Sequence, residues 1–305
     1  MSNMVVRTNV MALNSHRNLG NVATQQARSN ARLSSGFRIN SAADDAAGLG
    51  ISENMRAQIR GLDQASRNAQ DGISLAQTAE GGFSTINEMI IRIRELTVQA
   101  ANDINTTEGA AGIGANESNR ARIQGEVNHL IDEIHRTADT LQFNGMTLLD
   151  GSFAGANALG FQVGANSGQI INIELPNIIT GVANVLRTAF GSPAFGAVTN
   201  MSNAGSIATG DADSISALLD DVDAVMAVSV AARGALGAVQ NRLEFTIQNL
   251  QVSSENLSAS NSRIRDTDMA AEMMRLTQAN VLQQAATAML AQANQAPQSI
   301  LQLLG

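Results

Sequence analysis

The chain has 305 residues, with 27 acidic and 19 basic side chains and a formal net charge of −8. This negative charge argues against nucleic acid or an anionic membrane as the main partner, and the absence of Trp and Tyr removes the usual platforms on which bases stack. Because Cys is absent, disulfides, thiolate metal sites and cysteine nucleophiles are excluded. All the basic residues are Arg, so the chain contains no Lys.

The N-terminal residues do not resemble a cleavable export signal. Such a signal needs an apolar run of about 7–15 residues behind a positive start, and Arg7 interrupts the first apolar run, residues 4–6. The charge-free stretches 188–210 and 276–305 are too rich in Gly, Ser, Asn, Thr or Gln to span a bilayer, which needs about 20 predominantly apolar residues. The sequence therefore predicts no membrane segment. It also predicts that any export of the chain uses a route without a cleavable signal.

Two helical segments are predicted in the N-terminal half. From Leu62 to Ile104, and again from Ile123 to Leu141, apolar and small side chains recur at alternating steps of three and four residues. This spacing is typical of helices that pack on partner helices. The Gly-rich residues 109–114 between the segments predict a reversal of the chain.

The middle of the chain has a different pattern. Asn144-Gly145 is a strong turn signal, and two alternating segments, 161–163 and 171–175, flank the turn residues 165–168. This arrangement predicts a β-hairpin. From Pro176 to Gly210 the composition changes to Gly, Ala, Asn, Ser and Thr, which indicates a short surface insert.

A long helix is predicted in the C-terminal half. The three-four spacing runs from Ile215 to Ile264, about fifty residues or ~75 Å of helix, and a helix of that length needs partner helices along it. We therefore predict a mainly α fold, a long antiparallel coiled-coil-like helical bundle formed by both chain ends, with a small β-hairpin region.

The last thirty residues, 276–305, carry no charged side chain. Apolar and small residues keep the three-four spacing while Gln and Asn occupy the other positions, a composition suited to packing on several sides. We predict burial between subunits, with a helix buried in its own subunit as the alternative. The predicted packing residues are Leu276, Ala279, Leu282, Ala286, Met289, Leu301 and Leu304.

No motif predicts catalysis, a metal or a cofactor. His129, Glu133 and His135 lack the spacing of the zinc-binding His-Glu-x-x-His helix, and we interpret them as a solvated face. The glycines of 109–114 lack the Lys of a phosphate-binding loop. Asp44 and Asp45 diverge by about 100° on a helix, so we expect them to help begin a helix rather than to share a site.

Several blocks of the sequence stand out by their composition and order. The N-terminal block reads LSSGFRINSAADDAAGL over residues 33–49, and further blocks occupy 92–99, 142–145, 161–166, 261–272 and 300–304. In this order the blocks resemble those of bacterial flagellins. Together the resemblance covers about 1–175 and 214–305. Only the central insert is unmatched, and it is too short for the large outer domains of long flagellins.

The resemblance implies a structural subunit that self-assembles helically into the extracellular flagellar filament, the propeller for motility. It implies an inner core of 1–42 with 265–305 around a central export channel, an outer core of 43–175 with 211–264, and 176–210 as a variable surface insert. It also implies type III export without a cleavable signal. The implied partners are an export chaperone, the filament cap and hook-associated junction proteins.

Four residues match the flagellin surface recognised by the vertebrate Toll-like flagellin receptor: Arg92, Leu96, Ile123 and Glu126. Packing between protofilaments is the ordinary role of such a surface. Competing interpretations of the whole chain are a hook–filament junction protein, which shares terminal helices, and a chemoreceptor-type coiled coil. The complete set of flagellin blocks favours a filament subunit over the junction protein, and the chemoreceptor-type coiled coil requires a membrane anchor that the sequence lacks.

The absence of Lys has two explanations. A GC-rich genome replaces Lys with Arg, but the 29 Asn residues, whose codons share two bases with those of Lys, fit that explanation poorly. Alternatively, Arg stays charged in strongly alkaline water, whereas Lys, with an ordinary pKa of about 10.4, loses its charge there. We hypothesise a filament that works in an alkaline habitat and relies on Arg–carboxylate pairs between subunits.

Overall fold

The computed structural model describes residues 9–102, 119–175, 185–186 and 212–304, with side chains described for these residues except 156, 212–214 and 296–304. The predicted reversal at 109–114 lies outside these residues, as does the predicted insert at 176–210 apart from residues 185 and 186. The chain divides into two compact units, Met1–Arg60 with Ser253–Gly305 and Gly61–Val252. We call them the terminal unit and the central unit.

The described secondary structure is mainly helical, as predicted. The helices are α1 (Val10–Ser35), α2 (Ala46–Ala100), α3 (Asn119–Thr140), α4 (Ala212–Arg265) and α5 (Met269–Leu304). Four short strands form two separate antiparallel pairs, β1 (Gln142–Phe143) with β2 (Met146–Thr147) and β3 (Leu159–Gln162) with β4 (Ile170–Ile173).

In the terminal unit, α1 packs antiparallel on α5. Asn9 caps α1 by accepting a hydrogen bond from the Ala12 N–H, and its side-chain amide donates to the Ala293 carbonyl at 2.6 Å. At its other end α1 stops at Gly36, whose φ of +75° is the left-handed conformation that glycine adopts without strain. The first and last helices of the chain therefore run side by side, which confirms the predicted pairing of the chain ends.

The core of the central unit is built from the predicted helical seams. The apolar positions of α2, α3 and α4 with three-four spacing are largely buried; the most enclosed are Ala69, Ala76, Ala79, Phe83, Ile86, Ile90, Ile93, Val127, Ile134, Val222 and Leu243. The three alanines let neighbouring helices approach closely, while Phe83 and the isoleucines bury large apolar side chains. The periodicity thus predicted both the helices and their inward faces.

Both β-hairpins form where the turn residues predicted reversals. Asn144 and Gly145 have φ values of +51° and +78°, the pair of left-handed conformations that a tight two-residue turn requires. In the second hairpin, Leu159 lies opposite Ile173 and Gln162 lies opposite Ile170. Ile171 and Ile173 face the core while Ile170 is exposed, so one face of β4 is buried and the other is free.

One described helix segment, Ile215–Arg265, is long and apolar enough to cross a membrane by length and composition alone. Core helices pass the same test. In this segment Leu218, Val222 and Leu236 are buried in the core of the central unit, whereas Val228, Val230 and Phe245 are exposed.

Candidate subunit-packing site

The paired helices α1 and α5, which we call the terminal pair, leave many large apolar side chains uncovered. These are Val10, Met11 and Leu13 on α1, and Met269, Met273, Met274, Val281, Leu282 and Met289 on α5. Single exposed apolar residues are common on folded proteins, but a concentration on one pair of helices marks an interaction surface. Few charges accompany them, since α1 carries three Arg and no acidic residue, and α5 carries no charge after Arg275.

The predicted packing residues of α5 fall into two groups. Ala279 is only 2% exposed because it already packs on α1, and Leu276 and Ala286 are half-buried. By contrast, Leu282 and Met289 are 45% and 60% exposed and retain surface that a second subunit can cover. The side chains of Leu301 and Leu304 lie outside the described ones.

A buried carboxylate ties the two helices of the terminal pair together. Glu272 is 2% exposed, and its carboxylate accepts a hydrogen bond of 2.6 Å from the Ser29 hydroxyl and one of 3.2 Å from Arg275. Arg32 lies 4.0 Å away. Buried charge is tolerated only when it is paired and hydrogen-bonded, so this cluster fixes the register of α1 against α5. The residues of this cluster, together with Arg28, line a polar cavity of about 520 Å³.

Two of the sequence blocks that resemble flagellins meet in the terminal unit. The Arg38 N–H donates to the Arg265 carbonyl at 2.6 Å, and the Thr267 N–H donates to the Gly36 carbonyl at 3.0 Å. The Arg265 guanidinium lies 4.7 Å from the centre of the Phe37 ring and 2.6 Å from the Glu53 carboxylate. Hydrogen bonds from Arg265 and then Arg56 lower the pKa of Glu53. The segment that follows α1 is therefore hydrogen-bonded to the end of α4 and to the segment that follows it.

Asp44 and Asp45 both precede α2 instead of lying on a helix, so the predicted divergence around a helix does not apply, and only Asp45 has the predicted role. Asp45 precedes α2 and accepts a hydrogen bond of 2.9 Å from the Gly48 N–H, so it helps to begin the helix. Asp44 instead accepts backbone hydrogen bonds from Ser41 and Asn40, which lower its pKa.

The four residues of the receptor-type surface lie together where α2 packs against α3. Arg92 donates hydrogen bonds to Glu126 at 2.8 Å and to Glu95 at 3.1 Å, and these bonds raise the pKa of Arg92. Leu96 and Ile123 are 1% and 7% exposed. The accessible part of the surface is therefore the Arg92–Glu126 pair.

Sequence reasoning missed one neighbouring ion pair. Arg94 donates to Asp223 at 2.7 Å, which joins α2 to α4 across 129 positions of sequence. No local spacing signals such a pair. On α3, Glu133 is paired with Arg136, and the described part of the chain contains no group of three side chains that could hold a metal ion.

Family models match most of the chain. Residues 6–154 match the bacterial flagellin N-terminal helical region, and residues 219–304 match the bacterial flagellin C-terminal helical region. The chain belongs to the bacterial flagellin family. It is 46% identical to a flagellin of Halalkalibacterium halodurans and 44% identical to a flagellin of Bacillus subtilis, in each case over 99% of this chain and 100% of the relative.

A third relative is named a flagellar filament 33 kDa core protein, from Treponema phagedenis, and is 41% identical over 99% of this chain and 100% of its own length. The crystal structure of Bacillus cereus flagellin shares 21% identity and a TM-score of 0.45 over 64% of this chain and 94% of that chain. Family membership makes the chain a structural, self-associating subunit of the extracellular bacterial flagellar filament, and not an enzyme.

Proposed function

We propose that the terminal pair supplies contacts between subunits of the filament and packs around its central export channel. In this proposal residues 1–42 with 265–305 form the inner core and residues 43–175 with 211–264 form the outer core. The insert 176–210 lies at the filament surface. The observation that carries the proposal is the concentration of uncovered apolar side chains on α1 and α5.

The charge distribution supports the same assignment. A surface helix that stays in water carries charged residues, whereas the second half of α5 carries Gln, Asn and Ala. Burying Gln and Asn between helices costs little when their amides find hydrogen-bond partners. At the exposed edge of the terminal pair, the Gln26 amide already donates to the Asn280 side chain at 2.6 Å. The same side chains can make such bonds to neighbouring subunits.

Re-assembly of purified protein tests this proposal. We expect full-length protein, depolymerised by heat and then seeded or salted out, to form long filaments of uniform diameter in negative-stain electron microscopy. A variant in which Leu282 and Met289 are both replaced by Gln should remain monomeric under the same conditions. Globular particles from the unmodified chain under all conditions would refute assembly by this surface.

We also propose that the exposed apolar residues of α5 meet other flagellar proteins before assembly. An export chaperone would cover these apolar residues in the cell. The filament cap and the hook-associated junction proteins would likewise contact subunits that are not yet fully packed. Export would follow the type III route without a cleavable signal. Co-purification of the chaperone with the wild-type chain, but not with the doubly substituted chain, is the expected result; equal recovery with both chains would contradict it.

Recognition by the vertebrate Toll-like flagellin receptor is a separate proposal. It is supported by the exposed Arg92–Glu126 pair and requires free subunits. Pull-down with the receptor ectodomain should recover the wild-type subunit and less of an Arg92→Ala variant, while Arg136→Ala, at another ion pair on α3, serves as the control. No binding of the wild-type subunit, beside a flagellin that binds, would end this proposal.

The alkaline-habitat hypothesis remains a proposal as well. Pairing with Asp223 raises the pKa of Arg94 above its ordinary value, so the pair's contribution is fully present below that ordinary value and is lost only as the pH rises through the raised pKa. The pKa of Asp223 is lowered from 3.8 by its hydrogen bond from Arg94, so the contribution is lost only as the pH falls through that lowered value. With no Lys, Tyr or Cys in the chain, no side chain has its ordinary pKa between about 8 and 12.

A further inference from the structure

The exposed methionines of the described chain are all on the terminal pair. Met11 lies on α1, and Met269, Met273, Met274 and Met289 lie on α5, each about half exposed or more. In the central unit Met89 is 9% exposed, and Met226 packs against the core. Since the chain has no Cys, Trp or Tyr, methionine is its principal peroxide-sensitive side chain.

We infer that these five methionines, the methionine patch, make assembly of the free subunit sensitive to peroxides. This inference rests on the proposed packing role of the terminal pair. The reactant is hydrogen peroxide or an organic peroxide. The thioether sulfur attacks the peroxide, the O–O bond breaks, an S=O bond forms, and water or an alcohol leaves. The sulfur is oxidised by two electrons and the peroxide is reduced by two, so the step needs no further reactant.

Oxidation makes the methionine side chain polar, which is unfavourable on a surface that packs through apolar contacts. A methionine thioether is apolar and flexible, whereas its sulfoxide is polar and carries a strong hydrogen-bond acceptor. Burying such an oxygen without a donor is unfavourable, and α5 has no cationic donor after Arg275. We expect each buried sulfoxide to raise the critical concentration for assembly about tenfold.

The same geometry makes the sensitivity depend on assembly. In the free subunit the methionine patch is open to solvent, so it reacts before the core methionines. In the filament, neighbouring terminal pairs cover the patch, so a finished filament should resist a dose of peroxide that inactivates free subunits. Because methionine sulfoxide reductases reverse the reaction, the effect is reversible.

The test uses the full-length protein. Free subunits and finished filaments are treated with the same dose of hydrogen peroxide, oxidation at each methionine is measured by mass spectrometry, and the critical concentration is measured by sedimentation. We expect the patch to oxidise before Met89 and Met226 in free subunits, slow oxidation of the patch in filaments, and at least a tenfold rise in critical concentration. Reduction with MsrA, MsrB and dithiothreitol should restore assembly.

Substitution gives the matched control. A variant with Leu at the five patch positions should assemble equally well before and after peroxide, because Leu is apolar, similar in size and not oxidised. A variant with Leu in place of the four described methionines that are partly or fully buried, Met55, Met89, Met146 and Met226, should stay as sensitive as the wild type. If the patch variant assembles poorly even without peroxide, restoration of the oxidised wild type by the reductases decides the question.

Three results separate the methionine inference from the proposed packing role on which it rests. Normal assembly of wild-type subunits whose patch is fully oxidised would overturn the methionine inference alone. Failure of the reductases to restore assembly would also overturn it. Failure of untreated wild-type subunits to form filaments would overturn the packing role of the terminal pair, and this inference with it.

Discussion

Replacing Leu282 by Gln removes apolar surface that the subunit itself leaves uncovered. Fully burying a leucine side chain contributes about 1.5–3 kcal/mol. Because Leu282 is 45% exposed in the subunit, covering the remainder by a neighbour contributes about 0.7–1.4 kcal/mol. By the relation between free energy and equilibrium constant, the substitution should raise the critical concentration about 3–10-fold, and more if the Gln amide is buried without a partner.

Sedimentation of re-assembled protein at a series of total concentrations measures this effect directly. Leu282→Met is the matched control, since it preserves volume and apolar character and should shift the critical concentration much less. Far-UV circular dichroism of the free subunit should be unchanged in both variants. A critical concentration for Leu282→Gln within twofold of the wild-type value would show that this surface is not buried in the filament.

Three further predictions concern the fold and its charges. Ser29→Ala removes a donor from a buried carboxylate and should weaken the pairing of α1 with α5 by about 1.5–3 kcal/mol, measured as faster amide hydrogen exchange in α1; unchanged exchange would contradict the buried hydrogen bond. Gly81→Ala should stabilise the subunit against urea by about 1 kcal/mol, because the new Cβ meets open space and alanine favours a helix. Gly61→Ala places its Cβ 2.9 Å from that of Ala165, so this variant should be less stable than Gly81→Ala by about 1–3 kcal/mol. Arg94→Lys should lower the urea midpoint more at pH 11 than at pH 8, because Lys loses its charge at pH 11 and Arg does not. The wild-type midpoint should stay level from pH 8 to pH 11 and fall only in acid, below the ordinary pKa of Asp223. A decline of the wild-type midpoint by pH 10 would contradict this prediction.

The helices and hairpins could be predicted because local patterns determine them. The three-four spacing along α2 placed Phe83, Ile86 and Ile90 on one face, and all three are fully enclosed. Asn144-Gly145 predicted a turn because that pair accepts positive φ at both positions. In each case the signal and the structure lie within a few residues of each other.

The orientation of α5 could not be predicted from the same patterns. Its inward face runs through Glu272, Leu276, Ala279, Ala286 and Ala293, so a charged residue and several small ones face α1 while larger apolar residues face outward. Hydrophobic periodicity weights the large side chains and so cannot separate a face on α1 from a face left for a neighbour.

Contacts between distant segments were equally inaccessible. The Arg94–Asp223 pair and the hydrogen bonds of Gly36 and Arg38 to the segment after α4 depend on tertiary placement, which no single stretch of sequence encodes. Except for Asp223, their residues belong to recognisable family blocks, yet the blocks alone do not say which of them touch. These contacts required the three-dimensional structure.

Helical reconstruction of re-assembled filaments by electron cryomicroscopy tests the central claim most directly. The account predicts that α1 and α5 of each subunit pack against the same helices of neighbouring subunits around the channel. Leu282 and Met289 should then be buried at those contacts. A filament in which the terminal pairs remain open to solvent, while the central units make all the contacts between subunits, would contradict it.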